Sequence, residues 1–518
     1  MANKTLFNNR ASKVRPTNTR NKAGGRAYKF TSVHALCQYA VTGTFHNVFY
    51  ATAKEQLTEV QKLVSDCDSE TIAKVAIYAH EQGKMKDVPA YLLAVLTARR
   101  ENELLRVAFP RVITNVKMLL NYVQFIRSGV TGRRSFGSAP KKLIQNWLNS
   151  KNGKQLMMAS IGHANPSLAD VIKMARPKPQ DATQDNMFAY LIGKNYDLEA
   201  LHPVVQQFEA FKKDNSNELP DLPFRALTNC GLTPEHWKQI AQNMPWNTLR
   251  MNLNMLHRNG VFNDVNLTQQ LAAKLADAES VRKFNAFPYQ LLTAYQNTKD
   301  VPVAMQNALQ DALEVATENV PDFGKSVAVA IDISGSMGGC ATGAGVTTAR
   351  DVAALMGACV LRKNQTANVF GWDTRIHTMR LNPRDTVITN CRNLSLPGGG
   401  TDASVGLQHL NNKGARHDVV IYVSDNQSWY DPNGKSRGWG WSSSGTTMAK
   451  EWEAYRRRVK GAKLVCIDVQ PYGDSQVPDD HNVLNIGGFS DAIWPAIDAF
   501  VKRGNVTFTD VVNNYVEL

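Results

Sequence analysis

Long hydrophobic runs and paired cysteines are both absent from this sequence of 518 residues. No apolar run approaches the ~20 residues of a bilayer span, so we expect neither an integral membrane protein nor a membrane partner. No apolar segment precedes a small-residue cleavage site at the N-terminus, and we therefore expect no secretory signal. The seven cysteines are dispersed and never spaced as CxxC, which argues against a zinc knuckle or a disulfide framework. Such cysteines are typical of a reducing compartment, and we expect a cytoplasmic protein.

Acidic residues are missing from two long stretches of the chain. None precedes Glu55, and none lies between Leu104 and Ala169. Residues 1–324 contain 39 Lys and Arg against 27 Asp and Glu, whereas residues 325–518 contain 20 against 18, so the net charge of +14 belongs mostly to the first part. A field of one sign repels itself unless a polyanion relieves it. The pattern therefore favours a phosphate-backbone partner over the alternative, a solvated helix face.

Hydrophobic periodicity divides the chain near residue 325. Apolar residues recur at steps of three and four over residues 31–324, which is typical of successive short helices. Four apolar runs then alternate with amphipathic helices, which indicates a mainly parallel sheet covered on both faces. These runs are SVAVAID (326–332), ANVFGWD (367–373), DVVIYVSD (418–425) and KLVCIDV (463–469). We predict a flexible basic arm over 1–27, a helical-repeat domain over 28–324 and a doubly wound α/β domain over 325–518.

Oxygen-bearing side chains follow the predicted strand ends of the α/β domain. The first strand runs into DISGS (332–336), a threonine follows the glycine-rich PGGG at 397–400, and an aspartate closes a third strand. Ligand sites of doubly wound sheets lie at the carboxyl ends of the strands. An all-oxygen set suits Mg²⁺ or another divalent cation, with a place left for an acidic partner group; the alternative is a Ser/Gly-rich turn without metal. The oxygen-bearing residues at these strand ends are Asp332, Ser334, Ser336, Thr401, Asp402 and Asp425.

Signatures of catalysis are missing from the same region, and we predict that the protein is not an enzyme. No GKS or GKT follows the first strand, and ISGSM is not the GxSxG elbow of a catalytic serine. Two-metal phosphoryl transfer needs clustered carboxylates, whereas these aspartates are separated. The segment 426–445 allows two interpretations, a contact loop for bases and phosphates or a surface insertion that covers the sheet edge. Its aromatic and basic residues include Trp429, Tyr430, Trp439, Trp441, Lys435 and Arg437.

Several segments carry longer motifs. They are PFRALTNCGLTPEHWKQIAQNMPWNTLRMNLNMLHRNGVF (223–262), NAFPYQLLTAY (285–295), GRRSFGSAPKKLIQNWL (132–148), VSDNQ (423–427) and NVLNIGGF (482–489). Together with DxSGS and GGGTD, they resemble the Ro autoantigen family, and bacterial members most of all. That family joins a TROVE module, a ring of HEAT-like helical hairpins, to a von Willebrand factor A domain with a metal-ion-dependent adhesion site. The resemblance implies that the ligands of this site are Asp332, Ser334, Ser336, Thr401 and Asp425. The resemblance extends from about residue 28 to the C-terminus.

The resemblance implies an RNA-binding ribonucleoprotein scaffold that acts in RNA quality control or decay. A small noncoding Y-like RNA would lie on the outer basic surface of the helical ring, and single-stranded 3′ ends of misfolded RNA would enter its hole. Polynucleotide phosphorylase would be tethered through the RNA, and we expect a monomer. The acid-free stretch falls on the family's RNA-binding region. The candidate RNA-binding residues are Lys117, Arg127, Arg133, Arg134, Lys141, Lys142, His163, Lys173, Arg176 and Lys178.

One position departs from the family pattern. Eukaryotic members have a His before a Lys-Asp pair where this chain has Leu168, Ala169 and Asp170. The corresponding Y RNA contact is therefore absent or is supplied by another residue such as His163.

A second function, from a different class, also stays open. The A domain would be the metal-dependent part of a protein-interaction adaptor that captures an acidic partner residue.

Overall fold

The computed structural model describes residues 14–43, 45–162, 165–341, 345–429 and 445–518. These residues group into two compact units. The sheet unit contains the described residues of Met1–Cys67, Ala276–Lys299 and Ala308–Tyr515, and the helical unit contains those of Asp68–Leu275, Asp300–Asn307 and Val516–Leu518. Across the described ranges, no helix is long and apolar enough to cross a membrane.

Helices make up most of the chain before residue 320. The first helices are α1 (Ser32–Thr42), α2 (Ala53–Ser65), α3 (Ser69–Glu81), α4 (Asp87–Arg99), α5 (Asn102–Val112), α6 (Val116–Ser128), α7 (Ser138–Asn149), α8 (Gly153–Ser160), α9 (Leu168–Ala175), α10 (Ala182–Leu191), α11 (Pro203–Lys213) and α12 (Phe224–Leu227). They continue with α13 (Pro234–Asn243), α14 (Trp246–Met251), α15 (Leu253–Arg258), α16 (Val265–Ala276), α17 (Ala278–Phe284), α18 (Pro288–Asn297) and α19 (Val303–Ala316). The predicted helix-rich region is therefore confirmed.

Local signals explain where many of these helices begin and end. Thr52 and Ser167 form capping boxes with the residues at the third helical position, which satisfies free N–H groups of the first turn. Gly129 ends α6 with a φ of 77°, a left-handed conformation that glycine adopts without strain. In the helical unit, α3 packs on α4 and α5, α4 on α6, and α7 on both α5 and α9. Neighbouring short helices thus bury each other's apolar faces, which is the packing of helical repeats.

A six-stranded sheet forms the centre of the sheet unit, in the order β5-β4-β3-β6-β7-β9. Its strands are β3 (Val327–Asp332), β4 (Asn368–Trp372), β5 (Ile376–His377), β6 (Val419–Ser424), β7 (Lys463–Asp468) and β9 (Val483–Gly487). All pairs are parallel except the edge pair of β4 and β5. The four apolar runs form β3, β4, β6 and β7, so the predicted doubly wound sheet is confirmed.

Helices cover both faces of this sheet. They are α20 (Ala349–Lys363), α21 (Val387–Leu394), α22 (Ser404–Asn412), α23 (Thr447–Arg458), α24 (Ile493–Arg503) and α25 (Phe508–Tyr515). Ala328 and Ala330 share one face of β3 and pack in a buried cluster with Trp452 of α23. Ile331 points to the other face, where a Cβ on Gly357 of α20 would lie 2.9 Å from the Ile331 Cδ1 atom. Because strand residues alternate between faces, a wholly apolar strand needs this double cover.

The N-terminal segment differs from the flexible arm expected from its composition. Residues 1–13 lie outside the described residues, but β1 (Thr19–Arg20) and β2 (Arg26–Lys29) pair with each other and with β8 (Asp474–Ser475). The Asn21 side-chain amide donates to the Ser428 carbonyl at 2.7 Å. A Cβ on Gly25 would lie only 1.9 Å from the same carbonyl oxygen, so glycine permits this close approach.

The two compact units also differ from the predicted boundaries at residues 27 and 324. Residues up to Cys67 and the helices α17 and α18 belong to the sheet unit. Leu36 of α1 and Leu291 of α18 are buried, but the sequence does not show against which unit such residues pack. Periodicity shows that a helix has a buried face, but it does not show which element that face contacts.

Candidate metal centre and basic surface

Two neighbouring strands of the sheet end in buried aspartates. Asp332 closes β3, and Asp425 directly follows β6. The strand order places β4 on one side of β3 and β6 on the other. The strand order therefore changes direction at β3, and doubly wound sheets form a crevice for ligands at such a switch point. Asp332 is 0% exposed and Asp425 is 1% exposed, so both carboxyl groups lie inside the protein.

The loop after β3 brings two serine hydroxyls next to Asp332. The Ser334 N–H donates to Oδ1 of Asp332 at 2.9 Å, which folds the loop back on the strand end. The Oγ atoms of Ser334 and Ser336 lie 3.3 Å apart. The second carboxylate oxygen of Asp332 accepts the Ser424 hydroxyl at 2.6 Å. The alternating positions predicted from DISGS therefore converge in one buried loop.

Asp425 has one satisfied and one unsatisfied carboxylate oxygen. Its Oδ1 accepts the Gln427 N–H at 3.0 Å, whereas its Oδ2 is buried and has no hydrogen-bond partner among the described residues. A buried carboxylate oxygen without a partner is costly, unless a cation compensates its charge. This oxygen is the clearest structural sign of a cation position.

Thr401 follows the glycine-rich loop, which is hydrogen-bonded to the loop after β3. The Gly398 N–H donates to the Ile333 carbonyl and the Gly335 N–H donates to the Gly399 carbonyl, each at 2.8 Å. Thr401 is 2% exposed, and its carbonyl accepts the Trp429 N–H at 3.2 Å. The structure therefore brings all five predicted ligand positions to the same end of the sheet.

The two aspartates have pKa values far above the usual range. Burial raises the pKa of Asp332 to about 7, and the nearby Asp425 carboxylate adds to the effect. Burial also raises the pKa of Asp425 to about 6, although the nearby Ser336 side chain and the hydrogen bond from the Gln427 N–H oppose the shift. Without a cation, ionising both groups places two negative charges in a low-dielectric site.

The donor set fits a hard divalent cation such as Mg²⁺. Such ions prefer carboxylate and hydroxyl oxygens and retain several waters. Among the described residues, no three His, Cys, Asp or Glu side chains form a metal-binding group, so the candidate site depends on two carboxylates and on hydroxyls. Asp332 and Asp425 would compensate the charge of the ion, and Ser334, Ser336 and Thr401 would supply neutral oxygens.

Other residues support the site without belonging to the motif positions. Ser424 directly precedes Asp425 in the same strand motif, so its position only weakly indicated that it supports the site. Asp373 follows β4 and accepts the Gly399 N–H on Oδ2 at 3.0 Å, while its Oδ1 lies 2.9 Å from Nε2 of His377. This arrangement fixes the glycine-rich loop that carries Thr401. Arg350 donates from Nη2 to the Ser334 carbonyl at 3.4 Å, and no sequence motif pointed to it.

Those predicted RNA-binding residues that the structure describes lie in the helical unit, on α6, α7 and α9 and in the segments that follow α6 and α9. Lys141, Gln145 and Asn149 share one face of α7 because they are spaced by one helical turn. The Gln145 amide donates to the Ala175 carbonyl at 2.9 Å, and the Asn149 amide donates to the Lys178 carbonyl at 2.9 Å. These contacts bring the basic residues of α7 next to the chain that leaves α9. The side chains of Lys142, Lys173, Arg176 and Lys178 are exposed.

The remaining predicted RNA contacts divide into three groups. Arg127 is exposed at the end of α6 and its Nη1 lies 2.8 Å from Met174 Sδ, which places it near α9, and Arg134 is exposed in the following loop. Lys117 lies at the opposite end of α6, about 15 Å along the helix from Arg127. Arg133 instead donates to the Thr97 carbonyl at 3.0 Å and the Ser135 carbonyl at 2.7 Å, so its guanidinium supports the fold.

Of the residues at and near the departure from the family pattern, the structure describes Leu168, Ala169 and Asp170. Leu168 is 3% exposed and begins α9, while the Asp170 side chain bonds the N-cap residue Ser167. The site of the departure therefore serves packing and capping. His163 lies outside the described residues, as do residues 430–444 of the aromatic segment. Trp429 is described and is 43% exposed.

A doubly wound sheet with carboxylates and hydroxyls at its switch point defines a von Willebrand factor A domain, here joined to a helical region. Comparison with family models agrees with this class. The Ro60 vWA domain matches residues 326–501, and the TROVE domain matches residues 218–333. The chain therefore belongs to the Ro family.

Two curated relatives and one solved structure are similar to the chain. The RNA-binding protein RO60 of Deinococcus radiodurans is 24% identical over 525 residues, which cover 94% of this chain and 96% of the relative. RNA-binding protein RO60 of Caenorhabditis elegans is 24% identical over 319 residues, which cover 57% of this chain and 47% of that protein. The crystal structure of the Deinococcus radiodurans RO (RSR) protein has a TM-score of 0.62 at 20% identity, with 91% of this chain and 99% of that chain covered. This structural likeness supports the fold.

The raised pKa values predict that Mg²⁺ stabilises the protein more at about pH 8 than at about pH 5.5. Both aspartates have folded-state pKa values above the ~3.9 of an unfolded chain, so their ionisation destabilises the metal-free fold as pH rises through about 6 and 7. The cation binds the ionised pair and competes with protons at low pH.

Thermal unfolding with Mg²⁺ or with EDTA at the two pH values measures this effect. In the variant Asp332→Asn, the Mg²⁺-dependent rise in Tm should disappear at both pH values. An equal rise at both pH values in the wild type, or a full rise in the variant, would contradict the assignment.

Proposed function

We propose that the protein is a non-catalytic RNA-binding scaffold whose helical unit contacts the phosphate backbone. The observation that carries the proposal is the basic surface formed by α7, α9 and the segment after α9, on which Lys141 is half-buried and four further basic side chains are exposed: Lys142, Lys173, Arg176 and Lys178. Basic side chains bind RNA by neutralising phosphates and releasing counterions, with little base readout. The RNA-binding relatives and the matched TROVE domain support the same function.

The contact geometry favours a preformed surface over a loose basic tail. Gln145 and Asn149 fix α7 against the carbonyls of residues 175, 176 and 178, so the lysines begin from a rigid backbone. Lys151 lies with Nζ 4.8 Å from the Trp147 ring, farther along the same helical hairpin. A fixed array of cations, with one of them over an aromatic ring, suits an ordered RNA more than a point contact.

Finer features of the function are part of the proposal. The RNA partners would be a Y-like noncoding RNA on the basic surface and single-stranded 3′ ends of misfolded RNA at a ring hole. The role would be RNA quality control or decay, with polynucleotide phosphorylase tethered through the RNA. We propose that the protein acts as a cytoplasmic monomer. Support for these features comes from the family membership.

A second candidate function concerns the sheet unit alone. Its metal centre would capture an acidic residue of a protein partner through a divalent cation. The observation in its favour is exposed apolar surface next to the ligand loops, because Phe49 is 56% exposed and Trp429 is 43% exposed. Phe49 packs against the loop after Ser336, and Trp429 packs against Gly400. Exposed aromatic side chains around a polar anchor are typical of protein-binding sites.

Reversing three exposed lysines of the basic surface should weaken RNA binding and its salt dependence. In the variant Lys142→Glu, Lys173→Glu and Lys178→Glu, we expect the slope of log Kd against log salt to fall by about three, because each lysine neutralises about one phosphate. Filter binding of a structured small RNA across a salt series measures the slope. The matched control reverses Lys86, Lys194 and Lys213, which are also exposed in the helical unit.

Equal loss of affinity in both triple variants would mean that net charge, rather than this surface, controls binding. A wild-type affinity that does not change with salt would refute the phosphate-binding proposal as a whole.

Removing the cation should separate the two candidate functions. We expect EDTA and the variant Asp332→Ala to abolish capture of a protein partner while RNA affinity changes less than about twofold, because the basic surface does not include the metal ligands. Pull-down from lysate with parallel RNA titrations makes the comparison. Loss of RNA affinity in EDTA would contradict the separation, and a protein partner retained in EDTA would contradict metal-dependent capture.

A further inference from the structure

Basic residues are concentrated at the end of the sheet opposite the candidate metal centre. The neighbouring parallel strands β3, β6 and β7 begin there, and the segments 320–326, 411–418 and 456–463 lie at these strand starts. The three segments contain eight Lys or Arg against two Asp, whereas the other residues of 325–518 contain 12 Lys or Arg against 17 Asp or Glu. The nearly neutral charge of this part of the chain therefore combines a basic end with an acidic remainder.

Three of these eight cations support the fold. Arg458 donates to two backbone carbonyls in and just after the last turn of α22, where a cation is stabilising. Arg456 pairs with Asp480 at 2.7 Å. Lys463 donates from Nζ to the side-chain oxygen of Asn482 at 2.7 Å. The other five basic side chains are exposed, and we call them the amino-end surface: Lys325, Lys413, Arg416, Arg457 and Lys460.

Hydrogen bonds hold the three segments side by side. The Lys463 N–H donates to the Asp418 carbonyl at 2.8 Å, and the Ser326 N–H donates to Oδ2 of Asp418 at 3.2 Å. The Tyr455 hydroxyl accepts from the His417 N–H at 2.7 Å and donates to its carbonyl at 3.0 Å. Neighbouring strands lie about 4.8 Å apart, so the starts of three adjacent strands span about 10 Å. The exposed cations therefore extend from a fixed row of backbone.

The length of this row fits the charge spacing of a nucleic-acid strand. One strand of a duplex presents a phosphate about every 3.4 Å, so about 10 Å contains about three phosphates. Within the three segments, all of which the structure describes, no large apolar side chain is exposed. Protein interfaces have apolar and aromatic residues at their centre, and stable binding to a membrane surface also buries apolar groups. The amino-end surface therefore fits a phosphate backbone better than an acidic protein or a lipid surface.

We propose that the amino-end surface is a second RNA contact of the protein, which binds the phosphate backbone. The inference rests on the proposed RNA-binding function and extends it from the helical unit to the sheet unit. The three segments expose no aromatic side chain that could stack on a base, so this contact does not depend on RNA sequence. Because the candidate metal ligands lie at the other end of the sheet, EDTA should leave this contact unchanged.

Removing three charges of the amino-end surface tests this inference on the full chain. We expect the slope of log Kd against log salt for a structured small RNA to fall by about three, because each lysine neutralises about one phosphate. The variant combines Lys325→Gln, Lys413→Gln and Lys460→Gln, and filter binding measures the slope. The matched control should retain the wild-type slope, since it removes three exposed charges of the same unit outside these segments: Arg375→Gln, Arg380→Gln and Lys450→Gln.

The helical-unit variant with Lys142→Glu, Lys173→Glu and Lys178→Glu separates the inference from the proposed function. If that variant lowers the slope and the amino-end variant equals the wild type, the inference fails while the helical surface stands. If only the amino-end variant lowers the slope, the inference stands and the helical surface fails. A wild-type slope near zero would overturn both.

Two further outcomes would overturn the inference. One is an equal fall of the slope in the control variant, which would mean that net charge controls RNA binding. The other is an unchanged RNA slope in the amino-end variant together with lost binding to phosphatidylserine vesicles, which would assign the surface to a membrane. The Tm of the amino-end variant should equal that of the wild type, because the three side chains are exposed.

Discussion

The buried carboxylates of Asp332 and Asp425 are the constraint on which the sheet unit depends. They lie at the ends of neighbouring strands, are almost inaccessible to solvent, and have raised pKa values because ionisation there is unfavourable. The unpartnered oxygen of Asp425 shows that hydrogen bonds from the protein do not fully compensate this charge. A divalent cation would attract both carboxylates, which would offset their mutual repulsion, and would stabilise the three loops around it. The glycine-rich loop is hydrogen-bonded to the loop after β3 at this centre.

Charge is distributed unevenly between the two parts of the chain. The excess of basic residues lies before residue 325, and the predicted RNA contacts with exposed side chains belong to the helical unit. The sheet unit instead has buried acids and exposed aromatic residues near its candidate metal centre. A long-range field of positive charge attracts a polyanion, whereas a cation with an open coordination place selects a single acidic group. RNA binding and partner capture therefore require different chemistry and respond differently to salt and to EDTA.

The sequence predicted the parts of the structure that depend on local patterns. The four apolar runs could be recognised as strands because a strand buried on both faces has no polar positions. The DISGS motif indicated a ligand loop because side-chain oxygens alternate directly after a strand end. Arg350 reaches the site from α20, and no local pattern reports such a contact. Arg133 looked like an RNA contact because its charge is visible in the sequence, whereas its bond to the Thr97 carbonyl is not. The pairing of β2 with β8 was missed for the same reason, since it joins opposite ends of the chain.

Anomalous X-ray diffraction from crystals of the full chain grown with Mn²⁺ tests the central claim most directly. The account predicts one strong anomalous peak about 2.0–2.3 Å from oxygens of the DISGS loop, with Asp425 bonded directly or through water. The same peak should be absent from crystals of Asp332→Ala. Wild-type crystals that show no peak between Asp332 and Asp425, while the two carboxyl groups remain buried, would contradict the assignment of this site as a metal centre.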